Sequence, residues 1–169
     1  MEDNRILKVV YTFFLGLLLA IFVGVGIDTF YPGPTPPTYP TILDAYGKNP
    51  TPELTKTQQE WDLKMSAYEK AVKPYNRNVS LIALGAAVIL LAASIAFEKK
   101  IKFVADGVML GGLFTLFYSL IRGFSSNNSK YVFVVITVGL IVVVYLGYRR
   151  FVKTHESVTV TKPPIDGQA

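Results

Sequence analysis

Residues 79–97 read VSLIALGAAVILLAASIAF and residues 103–121 read FVADGVMLGGLFTLFYSLI, with only EKKIK at 98–102 between them. Each stretch has the length, about 20 apolar residues, that crosses the hydrocarbon core of a bilayer as a helix. Two similar stretches lie at 9–27 and 131–148. Helices pair their own backbone groups in hydrocarbon, and the alternation of a membrane barrel is absent. The sequence therefore predicts an all-α integral membrane protein, a bundle of four transmembrane helices.

The composition agrees with a membrane protein. Hydrophobic residues make up 51% of the chain and charged residues only 17%, an unusual balance for a soluble domain. Cysteine is absent, which excludes disulfides and thiolate metal sites. The net charge of +5 is modest and lies in the ends and loops, so we expect the lipid bilayer, and no nucleic acid, as a partner. We expect one four-helix domain at 1–151 and a flexible cytoplasmic tail at 152–169.

Basic residues beside the first span predict the orientation. Arg5 and Lys8 precede that span, and the next basic residue after it is Lys48. The numbers of Lys and Arg residues on the two sides of the membrane are nearly equal, so we take the orientation from the residues that flank the first span. The chain leaves this span without a small-residue cleavage site, which favours an uncleaved anchor over a signal peptide. We expect a multi-pass protein of the plasma membrane with both termini cytoplasmic and the loop 28–78 outside.

The loop at 28–78 has a proline-rich part and a helical part. Residues 32–40 read PGPTPPTYP, a density of proline that favours an extended polyproline II strap acting as a rigid spacer. Thr51, Pro52 and Glu53 then form a helix start signal, and we expect a helix over about 52–73. Pro74 predicts a kink or break; if the helix continues through it, a long stalk rises outside the membrane.

One face of the predicted outer helix is apolar, with a heptad-like spacing. Such a one-sided stripe is typical of a docking surface for a partner or a second copy of the chain. The alternative is that the stripe lies on the strap or on the bilayer surface. The predicted interaction residues are Leu54, Trp61, Met65, Tyr68 and Val72.

Small residues recur in the first and third spans at intervals of four. Because close packing drives helix association in lipid, such rows predict helix contacts within the bundle. The fourth span is rich in valine and isoleucine, and we expect it to be the helix most exposed to lipid. The predicted packing residues are Gly16, Ala20, Gly24, Gly107 and Gly111.

Polar residues of the third span share a face. Thr115, Ser119 and Arg122 cluster there, whereas Asp106 lies nearly opposite Thr115, so no continuous polar track connects the two ends. Ionisable residues in a span often mark function. Here the simpler interpretation is that Arg122 reaches the outer headgroups. A path lined by Thr115, Ser119 and Arg122 in an oligomer is the alternative.

No catalytic constellation is found in the sequence. The single His155 has no ligand cluster around it, and phosphate-loop, nucleophile-elbow and zinc-protease motifs are absent. We therefore predict no enzyme, no metal and no cofactor. The favoured function is a structural or accessory subunit that assembles through helix packing and the outer docking helix, with itself or another membrane protein. The alternative is an oligomeric channel or small carrier.

Overall fold

The computed structural model describes residues 3–45 and 51–149, and this part of the chain is all-helical. The elements are helix α1, a short 3₁₀ helix, and helices α2, α3 and α4; their bounds are Asp3–Phe30, Thr41–Ala45, Pro52–Phe97, Lys102–Phe124 and Ser129–Gly147. The four α-helices are each long and apolar enough to cross a membrane, which supports the predicted multi-pass helical protein. The predicted tail at 152–169 lies outside the described residues.

Helix α2 is a single helix of 46 residues. The Thr51 hydroxyl accepts a hydrogen bond from the Leu54 amide at 3.3 Å, and Pro52 occupies the first turn, where a missing N–H costs nothing. Of the two expectations at Pro74, the structure shows the continuous helix. Pro74 and Lys70 are both exposed, so water can replace the hydrogen bond that a proline removes from the carbonyl four residues earlier.

The length of α2 gives the molecule its shape. At 1.5 Å per residue a helix of this length extends about 69 Å, against about 30 Å for the hydrocarbon core of a bilayer. The side chain of Asn76 bonds to Arg122, which lies in the last turn of α3. Residues of α2 before Asn76 therefore extend beyond the end of α3. We call residues 52–78 of α2 the arm, and residues 79–97 its bundle half.

Helix α3 lies at the centre of the bundle and contacts each of the other three helices. Within the described residues, α1 and α4 do not contact one another. The core follows the α2–α3 interface in two clusters. Its buried apolar residues are Ala87, Leu91, Leu116 and Leu146 in one cluster and Ile27, Val79 and Ala83 in the other.

Helices α1 and α3 run parallel and approach closely through glycine. A Cβ added to Gly16 would lie 2.9 Å from Leu110 Cβ, and one added to Gly111 would lie 2.9 Å from Leu19 Cβ and 3.2 Å from the Gly16 carbonyl. Gly107 has the same relation to Leu15, at 2.7 Å. These distances leave no room for a side chain, as rows of small residues predict.

Gly24 and Ala20 differ from Gly16, although all three belong to the predicted row. A Cβ at Gly24 would meet no described atom within 4 Å, and Ala20 is only half-buried. Each step of four residues turns about 40° around a helix of 3.6 residues per turn. The row therefore rotates away from α3, and further along α1 the buried Ile27 packs with Val79 and Ala83 of α2.

The expectation that the fourth helix is the most exposed to lipid stays a prediction, because α1 and α4 are exposed to a similar extent within the described residues. In the apolar part of each helix, 6% of the residues of α1 and 11% of those of α4 are buried. Phe22 is 75% exposed and Phe133 71% exposed. Both helices lie at the edge of the bundle, because each packs mainly on α3.

Candidate functional site

The base of the arm is tied to the end of α1 by two tyrosines. The rings of Tyr31 and Tyr75 stack, with centroids 5.4 Å apart and planes 13° apart. The Tyr75 hydroxyl donates to the Tyr31 carbonyl at 3.2 Å, and the side-chain amide of Asn78 donates to the Tyr31 hydroxyl at 3.0 Å. These contacts determine where the strap at 32–40 leaves the bundle.

The strap then follows the arm from its base towards its tip. A Cβ at Gly33 would lie 3.0 Å from the Tyr75 ring, so the strap backbone contacts the ring directly. Further along, Tyr39 packs edge-on against Trp61, with ring centroids 5.3 Å apart. The 3₁₀ helix that follows the strap also contacts α2. The arm is thus a helix supported along one side by its own chain.

The predicted apolar stripe faces the side on which the strap lies. Leu54 is buried at 7% exposure, and the remaining stripe residues are half-buried; these are Trp61, Met65, Tyr68 and Val72. Leu43 of the 3₁₀ helix is buried as well, whereas Leu63, elsewhere on the arm, is 72% exposed. The strap therefore provides cover for part of the stripe, which was one of the alternatives left open by the sequence.

Trp61 has an unusual environment within the arm. Its indole nitrogen is buried and has no hydrogen-bond partner among the described residues. A buried N–H without a partner costs free energy. The ring nevertheless gains contact with Tyr39, and an edge-on aromatic pair is a favourable geometry. Trp61 is therefore held in place by ring packing and apolar burial rather than by its polar atom.

Arg122 joins the arm to α3. Its Nε donates to the Tyr118 hydroxyl at 3.0 Å and its Nη1 to the Asn76 side-chain oxygen at 2.9 Å. The guanidinium carbon lies 5.8 Å from the centre of the Tyr75 ring and 5.5 Å from that of Tyr118. Both distances suit a cation–π contact. The guanidinium is thus directed towards α2, and not only outwards as the sequence suggested.

The phenol of Tyr75 is affected by these surroundings. Partial burial raises its pKa above the ordinary value, because removal from water disfavours the phenolate, while the Arg122 cation acts in the opposite direction. The net shift is upward. The hydroxyl therefore stays protonated at neutral pH and remains the donor to the Tyr31 carbonyl.

The polar face predicted for α3 packs against α2. The Ser80 hydroxyl donates to the Ser119 carbonyl at 2.8 Å, and the Ser119 hydroxyl donates to the Ser80 carbonyl at 2.7 Å. Thr115 donates to the Gly111 carbonyl of its own helix at 2.8 Å. Thr115 and Ser119 are both fully buried. In a single copy of the described chain these hydroxyls therefore bond within the bundle.

Sequence reasoning missed two polar residues on the α2 side of this interface. Asn76 and Ser80 are the partners of Arg122 and Ser119, and neither was singled out. A signal was present, because polar and small residues of α2, together with Leu91, recur every three or four positions, the spacing of one helix face. This row consists of Asn76, Ser80, Ala83, Ala87, Leu91 and Ser94, all of them buried.

The described residues offer no group of three His, Cys, Asp or Glu side chains that could hold a metal ion. Comparison with protein-family models, with curated proteins and with solved structures finds no match to this chain. The arm, its strap and the faces of the bundle are therefore the features of the molecule that bear on function.

Proposed function

We propose that this protein is a non-catalytic structural or accessory subunit of the plasma membrane, and that it presents the arm to a second copy of itself or to another membrane protein. The continuity of α2 carries this proposal. A membrane helix that continues without a break into the arm holds a surface at a fixed height and direction relative to the bilayer.

The strap and Arg122 support the same function. The strap meets the arm at Tyr75 and at Trp61, and Arg122 bonds to Asn76 at its base. Ordering these side chains costs conformational entropy, and a segment that served only as a flexible tether would not need such ordering. A supported arm reduces the entropy that a partner must remove on binding. The exposed face of the arm includes Leu63, an apolar residue that a partner could contact.

The proposed orientation places the arm outside and both termini in the cytoplasm. The chain has no cysteine, so single cysteines report accessibility without background. A cysteine at Lys64 should react with an impermeant maleimide in intact cells, and one at Lys99 only after permeabilisation. Both positions are exposed, which makes them a matched pair. The reverse pattern would contradict the orientation.

The proposed interaction is tested by photo-crosslinking in the native membrane. A photoreactive residue at Leu63 should give a discrete adduct larger than the monomer. The same residue at Phe133, which is equally exposed but on α4, should give only lipid adducts. Mass spectrometry of the Leu63 adduct then separates a second copy from another membrane protein. If Leu63 yields no protein adduct, the arm is not an interaction surface.

Replacing Trp61 and Tyr68 by serine tests the role of the stripe. We expect lower recovery of the Leu63 adduct and unchanged membrane insertion, because the spans alone drive insertion. Trp61 contacts Tyr39, so the double substitution also removes support from the strap. Tyr68→Ser alone is the milder variant. Full adduct recovery in both variants would show that the stripe does not contribute.

A further inference from the structure

A groove lies between α1 and α3 at the end of the bundle opposite to the arm. Its volume is about 420 Å³, and its walls include Lys8, Val9 and Phe13 of α1 and Lys102, Phe103 and Leu110 of α3. We propose that this groove binds an anionic phospholipid, with the headgroup at the two lysines and one acyl chain along the apolar wall. The lipid site and the proposed function of the arm both require that the protein lies in a membrane, and they are otherwise independent.

The groove exists because the two helices converge and then separate. They are in closest contact at Gly16 and Gly111, where neither helix has a side chain. Towards the ends of the helices the residues become large. Tyr11 packs edge-on against Phe103 at 5.8 Å, and the Thr12 hydroxyl donates to the Phe103 carbonyl at 3.3 Å. These contacts fix the two walls relative to each other, so the groove is formed before any ligand enters.

The two lysines lie at one end of the groove, and its wall beyond them is apolar apart from Thr12 and Asp106, which lies about one turn beyond Lys102. Lys8 and Lys102 are exposed and stand at its mouth. Leu110 lies eight residues beyond Lys102, or about 12 Å deeper along the helix axis. A soluble anion would use the lysines but not the apolar wall. A lipid with a negatively charged headgroup uses both, as basic pockets between membrane helices do.

The balance of charge favours an anionic over a zwitterionic lipid. Asp106 also lines the groove and carries an opposing charge, which leaves the lining residues with a net charge of +1. Nearby in the sequence, Arg5, Lys99 and Lys100 are offset by Glu2, Asp3 and Glu98, so the preference depends on Lys8 and Lys102 themselves. Each lysine near an anionic headgroup contributes about a fivefold preference.

The position of the groove limits what can occupy it. Val9, Phe13 and Leu110 belong to the stretches predicted to cross the bilayer, and the lysines mark their boundary. An opening at this depth faces lipid, so a lipid can enter it sideways, whereas a soluble protein or peptide cannot.

The test uses the full chain, purified in mild detergent with equal amounts of phosphatidylglycerol and phosphatidylcholine, and native mass spectrometry to count bound lipids. We expect the wild-type protein to retain phosphatidylglycerol preferentially. The double variant Lys8→Gln and Lys102→Gln should lose this preference by about tenfold or more. The control, Lys64→Gln and Lys130→Gln, changes two exposed lysines at the arm end and should retain it.

Three results would overturn the proposal. These are an unchanged lipid preference in the Lys8 and Lys102 variant, an equal loss in the control variant, and displacement of the bound lipid by millimolar inorganic phosphate. The last result would mean that the site recognises a phosphate group without the acyl chain. Crosslinking at Leu63 is independent of these lysines, so failure of the lipid site and failure of the arm interaction are separate outcomes.

Discussion

The arm and the bundle half of α2 belong to one helix but pack through different kinds of side chain. The bundle half packs through small residues, and Ala83 and Ala87 are fully buried. The arm packs through large aromatic rings, with Trp61 against Tyr39. Apolar burial stabilises a contact only where water would otherwise cover it. In lipid, close approach of the helices and paired polar groups must provide the stabilisation that apolar burial provides in water. The change of packing style along α2 therefore agrees with a membrane boundary near residue 78.

The largest effect should come from Gly112 of α3, which contacts Leu91 in the bundle half of α2. A Cβ at Gly112 would lie 2.7 Å from the Leu91 side chain and 3.2 Å from its backbone nitrogen. Gly112→Leu should lower the free energy of unfolding by about 3 kcal/mol, because neither helix can move aside without breaking the core. Val143→Leu, at an exposed position of α4, is the control. Equal losses in a detergent melt would show that close packing is not what holds α2.

Gly111→Leu tests the contact between α1 and α3, and so compares the packing of α1 with that of α2. The new side chain would meet Leu19 and the Gly16 carbonyl, and should cost about 2 kcal/mol. We expect a smaller loss than at Gly112, because α1 is mostly exposed and can shift outwards. Val143→Leu serves as the control again, measured by the same melt. A greater loss than at Gly112 would mean that α1, and not α2, anchors the bundle.

The exchanged hydrogen bonds between Ser80 and Ser119 should have a moderate effect. Replacing both serines by alanine removes two bonds between buried hydroxyls and carbonyls, and should lower stability by about 1 to 2 kcal/mol. Ser66→Ala on the exposed side of the arm is the control and should change nothing. Each bond joins one hydroxyl to a backbone carbonyl that alanine keeps, so the losses in the two single variants should add in the double variant. Unchanged stability in the double variant would show that the two serines act only as small residues.

The smallest effect on overall stability should come from the arm. Trp61 is the single tryptophan of the chain, so its fluorescence reports the strap alone. Tyr39→Ala removes the ring that covers it and should shift the emission to longer wavelength and increase quenching by acrylamide. The melting temperature should stay unchanged. Thr38→Ala, an exposed neighbour, is the control. An unchanged emission spectrum would show that Tyr39 does not shield Trp61.

Much of the fold follows from local properties of the sequence. Apolar length predicts the four spans, and the arm begins at Pro52 because Thr51 caps its first turn. The pairing of helices does not follow in the same way. Gly16 contacts α3 while Gly24 does not, and only the rotation of α1 distinguishes them. Ser80 as the partner of Ser119 depends likewise on how two helices are turned towards each other, which one helix alone does not determine.

The continuous passage of α2 through Pro74 makes the helix a mechanical lever. Its pivot lies where Asn76 bonds to Arg122, and the arm from there to Pro52 is about 36 Å long. A tilt of about 10° in the bundle half would move the tip by about 6 Å, more than the pitch of one helical turn. A load applied at the tip would be transmitted back with the same leverage, and the cluster around Arg122 would be the first to strain.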